Sequence, residues 1–243
     1  MSCLVVSGAL VHLESGPEQG PTVAVVDGRI AGVGVGLPEL KLQLDARAGV
    51  SGATWKGEAC TFVQGAGKQL TAGLVAAPTQ LGLVEVGLEE ASRDDDPKTL
   101  DPVRASLVVT DAYDPRSVVI PVQRTHGITS ALTVPAGGGF VAGQGGFVRL
   151  RGATQAEAVV APSVAMIARV PTESFADGLR ELRELGGDAR THARSPGLYD
   201  QGRPYFPGAS RLDLEALRPD PSPRAPRCRR PGGGSWRCGS SRW

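Results

Sequence analysis

The strongest limit on the fold lies in the first 77 residues, whose apolar side chains come only in short runs broken by turn residues. Residues 4–6, 9–13, 22–26, 29–33 and 40–44 are rich in Val, Leu and Ile, and 60–63 and 68–77 resume the pattern. Runs of this length and composition predict strands. Asp27-Gly28 stands between two of them. Both central residues of a type I′ turn need positive φ, which Asp and Gly tolerate, so a hairpin is predicted there. Residues 46–58 are Gly- and Ala-rich without a period and predict a loop insertion.

Near residue 97 the texture changes. Asp101-Pro102 and Asp114-Pro115 each place proline where a helix would begin, a position that needs no N–H. The second is followed by 118–124, then Gly127, then the apolar run 128–134, which reads as a buried strand. Helix followed by strand is the mark of α/β architecture. Residues 135–146 read as a long glycine loop, and 147–150 and 158–161 as strands. Thr172 is placed to cap a helix over 173–185, ended by Gly186-Gly187, with Leu179, Leu182 and Leu185 along one face. Residues 213–217 predict a further short helix.

From residue 219 onward the chain has no Val, Ile, Leu, Met, Phe or Tyr. Such a segment cannot bury enough apolar surface to offset its ordering entropy, so 219–243 is expected to be a disordered basic tail. A nucleic-acid arm is one reading of it. Its composition is also that of a GC-rich gene read out of frame, and the abrupt onset after Leu217 favours this. The tail holds six Arg and one Asp out of 26 basic and 25 acidic residues, which leaves 20 against 24, a net −4, in residues 1–218. The overall +1 therefore describes neither part and implies no nucleic-acid partner.

A mean hydropathy of −0.09 with 21% charged residues excludes a membrane-embedded chain. No apolar run is long enough to span a bilayer, and the N-terminus lacks the features of a signal peptide, so a cytoplasmic protein without membrane partners is expected. Cys3 and Cys60 are then expected to be free thiols, and Cys228 and Cys238 lack the ligand spacing of a zinc site.

The stretch 67–82, Gly-Lys-Gln-Leu-Thr-Ala-Gly-Leu-Val-Ala-Ala-Pro-Thr-Gln-Leu-Gly, resembles the barrel entry of the metal-dependent amidohydrolase superfamily, in its imidazolonepropionase-like branch. There a β-sandwich cap precedes a strand ending Pro-Gly-Leu-Ile-Asp-x-His-x-His. Residues 23–34 resemble a cap hairpin of that family, and Arg124-x-x-Gly127-Ile-Thr-Ser130 is similar to its Arg-x-x-Gly-Val-Thr-Thr segment. The resemblance implies an α/β fold: a small β-sandwich cap over 1–72, then a TIM-type (β/α) barrel over 73–218. An eight-stranded barrel takes roughly 250 residues, so this one is expected to be incomplete and the chain truncated. The implied activity is hydrolysis of a non-peptide C–N bond in a small cyclic amide-type substrate, with a divalent metal such as zinc.

The chain departs from the family at the metal. The family's aspartate falls at Ala76 and its two histidines at Pro78 and Gln80. Proline has no donor atom and an amide is a poor divalent ligand. His12, His126 and His192 lie elsewhere: in the cap, at a helix end, and in a polar loop. The expectation is therefore no metal and no cofactor in this chain, with the catalytic residues left unknown: a truncated, inactive amidohydrolase-like protein or, alternatively, a non-catalytic binding protein or pseudoenzyme of the same fold. Gln144, in the glycine loop, and Glu85, just past the altered motif, are the candidate substrate contacts. The glycine loop leads into a strand with no lysine after it, unlike a phosphate loop. The acidic run 89–96 lacks calcium-loop spacing and reads as a solvated loop. No Gly-x-Ser-x-Gly elbow surrounds any serine.

Overall fold

A computed structural model describes residues 2–45, 49–95, 101–136, 139–169 and 174–218. The expected disordered tail, Thr172, Cys228 and Cys238 lie outside these. The chain divides into two compact units, Met1–Gly73 and Leu74–Trp243.

The first unit is all strand. In chain order it holds β1 (Cys3–Ser7), β2 (Leu10–Leu13), β3 (Gly16–Gln19), β4 (Thr22–Val26), β5 (Arg29–Gly34), β6 (Leu40–Asp45), β7 (Gly49–Trp55), β8 (Glu58–Gln64) and β9 (Gln69–Leu70). Six form a sheet of order β5-β4-β1-β8-β7-β6, and three form a smaller sheet, β3-β2-β9. The hairpin predicted at Asp27-Gly28 is present, with φ of 47° and 75°. Val5, Ala24, Ala53 and Trp55 make its core.

Two expectations fail in this unit. The described part of 46–58 is not a loop insertion: β7 occupies Gly49–Trp55 and turns into β8 through Lys56 and Gly57, with φ of 50° and 91°, while 46–48 lie outside the described residues. Gly and Ala hid the strand because they carry no β-branched signature, yet Ala53 and Trp55 are both core residues. Cys3 and Cys60 are not free thiols but form a disulfide. They are 57 residues apart in sequence, and the parallel pairing of β1 with β8 brings their Cα atoms to 4.6 Å.

The second unit is mixed α/β. It contains β10 (Leu74–Thr79), α1 (Val119–Thr125), β11 (Ile128–Thr133), β12 (Val141–Arg149), α2 (Gln155–Ala158), β13 (Val159–Ala168), α3 (Phe175–Arg194), α4 (Gly197–Asp200) and α5 (Arg211–Ala216). The sheet runs β10-β11-β12-β13. β10 and β11 are parallel, linked through α1. The β11–β12 and β12–β13 pairings are antiparallel. Pro121 sits in the third position of α1, within the first turn, where an N–H has no helical acceptor.

Three corrections belong here. Asp101-Pro102 starts no helix; the Pro102 carbonyl accepts from Val141 N and Arg104 N donates to the Val141 carbonyl, each at 2.9 Å. The segment bridges to β12 at Val103 and Val108, with a turn at Ala105-Ser106 between them. The described part of the glycine loop is largely strand β12. At Gly146 an added Cβ would lie 2.6 Å from the Pro162 carbonyl oxygen and 2.9 Å from that of Ala161. Glycine is there because the neighbouring chain comes too close for any side chain. Finally, α3 does not stop at Gly186-Gly187 but runs to Arg194, because Leu185, Ala189 and His192 form one continuous buried face.

Candidate functional site

The strand ends where the sequence places a site are those of β10 and β11. A cis Ala77–Pro78 bond lies near the end of β10. Thr79 Oγ1 accepts from Leu81 N at 3.3 Å, the Thr79 carbonyl accepts from Val134 N at 2.9 Å, and Thr133 Oγ1 donates to the Leu81 carbonyl at 3.2 Å. Thr133 is fully buried. These bonds fix the turn out of β10 against the end of β11. Pro78 is exposed and Gln80 half-buried. Among the described residues no three His, Cys, Asp or Glu side chains converge as a metal-ion site would need.

The turn continues through Gly82 and Leu83. Tyr113 packs its ring on Gly82, inside a core of Leu83, Val109, Ile120, Ala131, Val148 and Leu150. Burial, with the charge of Asp114 second, pushes the Tyr113 phenol from 10.0 up to about 12. Its hydroxyl finds no hydrogen-bond partner among the described residues.

Glu85 points to the start of α1: its Oε2 accepts from Val118 N at 3.1 Å. A carboxylate there satisfies a free helix N–H and meets the positive end of the helix dipole. Of the acidic run, Glu89 caps the 3-10 turn Glu90–Ser92, and Asp95 is buried against Arg93, with oxygens 3.2 and 3.3 Å from Nε and Nη2. Burial of Asp95 was not expected from a solvated run. Asp96 lies outside the described residues.

Gln144 belongs to β12, not to a loop. Its Nε2 donates to the Ala105 carbonyl at 2.8 Å, and its backbone N donates to the Leu107 carbonyl at 2.7 Å. It thereby holds the segment that forms one wall of a cleft of about 460 Å³, lined by Arg104, Ser106, Leu107, Gly208, Ser210 and Asp213 among others. That volume is in the range of small-ligand sites.

Asp213 organises this cleft. It is buried, and its Oδ1 accepts from Ser106 N and Oγ, both at 2.8 Å. Its Oδ2 accepts from Ser210 N at 3.1 Å and from Ser210 Oγ at 2.5 Å. A carboxylate has about four acceptor positions, and four donors fill them. Asp213 therefore braces α5 against residues 104–107 and has no free lone pair for a substrate proton. Sequence reasoning missed it, although Ser210-x-x-Asp213 is a capping-box spacing.

The histidines stay apart. His12 Nε2 lies 2.8 Å from Gln69 Oε1, and His126 Nδ1 lies 2.9 Å from the Val122 carbonyl at the end of α1, as expected of a helix-terminal residue. His192 is not in a polar loop. It is buried in α3, edge-on to Tyr199 and Tyr205, with Nε2 3.8 Å from Glu215 Oε1.

Against this geometry, an amidohydrolase from Thermotoga maritima is similar in structure over 88% of the chain, with a TM-score of 0.63 and 21% sequence identity. The match covers 54% of the Thermotoga chain, so this chain spans about half that length. A prolidase solved with N-methylphosphonate-L-proline aligns over 54% of this chain and 26% of its own, at a TM-score of 0.31 and 15% identity, too remote to bear on the fold. No protein-family profile matches the sequence, and no curated protein matches it. The chain thus has the fold of part of an amidohydrolase, in mixed α/β form. No described helix is long and apolar enough to cross a membrane.

Proposed function

We propose that this chain is an amidohydrolase-like protein of the imidazolonepropionase-like branch, with its strand unit as cap and its mixed unit as part of a (β/α) barrel, and that it is catalytically silent. The family reaction is metal-assisted hydrolysis of a non-peptide C–N bond, as in small cyclic amides. The observation that carries the reading is the donor set at the end of β10. Ala76 and Pro78 offer no ligand atom, Gln80 offers only an amide, and the hydroxyls of Thr79 and Thr133 are engaged with the turn that follows. A divalent metal that must ionise a bound water needs imidazole, carboxylate or thiolate donors with one open position. These residues do not fit it, and no step of the reaction is assigned to them.

A binding role without turnover draws support from the cleft beside Asp213. Of the two candidate contacts, Gln144 is the better placed, because Ala105, which it holds, stands between two residues of the cleft wall. Glu85 supports α1 instead.

The test uses the full chain incubated with zinc or manganese and freed of excess ion. Elemental analysis is expected to find well under one metal per chain, and a panel of cyclic amides to show no turnover above buffer. Stoichiometric metal or measurable hydrolysis would overturn the proposal. Calorimetric titration with the same amides reads the binding alternative, which predicts saturable heat that Gln144→Ala weakens.

A further inference from the structure

The six-stranded sheet of the first unit is two antiparallel halves, β5-β4-β1 and β8-β7-β6, joined along a single seam. That seam is the parallel ladder of β1 with β8, running from Leu4 opposite Thr61 to Ser7 opposite Gln64. The Cys3–Cys60 disulfide lies one position before it, on the same rung of both strands. Both cysteines pack against a core whose four buried members come equally from the two halves: Val5 and Ala24 from one, Ala53 and Trp55 from the other. Neither cysteine is fully buried, so a small thiol can reach the bond.

We infer that Cys3–Cys60 is a thiol-sensitive staple whose reduction loosens the β8-β7-β6 half of the sheet from the β5-β4-β1 half. A short parallel ladder is a weak seam: its slanted bonds are slightly less stable per residue than antiparallel ones. The disulfide strengthens it by removing freedom from the open chain across 57 residues. The reductant is a low-molecular-weight thiol of the glutathione class. Its thiolate attacks one sulfur, the S–S bond breaks, and the other cysteine leaves as thiolate. A second thiol then displaces the mixed disulfide and leaves two cysteine thiols and one oxidised reagent disulfide. Two electrons pass from the reagent thiols to the protein.

The test uses the full chain carrying Cys228→Ser and Cys238→Ser, so that only this pair can exchange. After oxidation, peptide mapping without reductant is expected to recover residues Cys3 and Cys60 in one linked peptide. Hydrogen exchange is then followed in the oxidised form, in the form reduced by glutathione, and in the Cys3→Ser/Cys60→Ser variant. Exchange across β7 and β8 is expected to rise on the order of 30- to 1,000-fold on reduction, as a typical disulfide implies. Exchange in β12 is expected to stay unchanged, and the variant should match the reduced form whatever the reductant. Return of protection with glutathione disulfide completes the cycle. Absence of the linked peptide would overturn the inference, as would equal exchange in both forms or reduction by a phosphine but not by glutathione.

Discussion

Gly82 lies against the Tyr113 ring just past the altered motif. Gly82 has φ of 79°, and a Cβ added there would run into the edge of the Tyr113 ring. Gly82→Ala combines a left-handed backbone penalty with overpacking, and is expected to cost about 2–4 kcal/mol in denaturant unfolding. A loss below about 0.5 kcal/mol, the range of harmless surface changes, would mean the ring is not seated on Gly82. The phenol itself makes a second prediction. Its pKa is raised in the folded protein, to about 12 from 10.0, so the unfolded chain loses this proton first as pH rises. Stability is indifferent to this group below pH 10 and falls between 10 and 12 by about 2–3 kcal/mol, because the buried phenolate is disfavoured. Ultraviolet titration should show one of the three tyrosines ionising late, and Tyr113→Phe should remove both that late step and the alkaline sensitivity. The same variant deletes a buried hydroxyl that has no partner among the described residues, so at neutral pH it is expected to be neutral or stabilising. None of this was legible in the sequence, because Tyr113 meets Gly82 only through the tertiary fold.

Elements whose signal is local were legible. Asp27-Gly28 made a hairpin because its turn chemistry is complete in two residues. Strand β11 and helix α1 were visible through a buried apolar run and the glycine between them. Elements fixed by neighbours were not. β12 reads as a loop because its glycines answer to close neighbours that no local pattern announces: Leu107 at Gly143, Thr133 and Val134 at Gly145, and Ala161 and Pro162 of β13 at Gly146. α3 reads as ending at a glycine pair because the partners that His192 meets beyond it, Tyr199, Tyr205 and Glu215, come from later parts of the chain. The attachment of α5 is itself testable. Asp213→Ala removes the acceptor for four donors, two from Ser106 and two from Ser210. The expected cost is about 3 kcal/mol, at the upper end for hydrogen bonds to a charged group. Asp213→Asn keeps the shape and part of the acceptor set, and should cost less. Equal, negligible losses in both would show that Asp213 does not brace α5. The candidate contacts divide in the same way. Their residue types suggested chemistry, but Glu85 and Gln144 are bonded to backbone groups distant in sequence.

At the scale of the molecule, the decisive feature is that each unit owns its apolar core. The cluster around Val5 and Trp55 lies wholly within residues 1–73, and those around Tyr113 and Leu214 wholly within the rest. A unit of this size, whose buried apolar side chains among the described residues are Val5, Ala9, Val11, Val23, Ala24, Ala53 and Trp55, sits near the lower limit of independent stability. The second unit has two such clusters joined by the continuous strand β12, which contributes Val141 to one and Val148 to the other. Local opening follows cooperative units with separate free energies, so exchange protection should divide along the same line as the chain. In low denaturant, amides of β1, β4 and β8 are expected to exchange together, before those of β11 and β12. Lowering protection with Asp213→Ala should move the second group and leave the first where it was. The opposite result, one common free energy for both groups and a shared response to Asp213→Ala, would mean that the division of contacts does not divide stability. In that case the fold likeness over 88% of the chain would describe a single cooperative body rather than two.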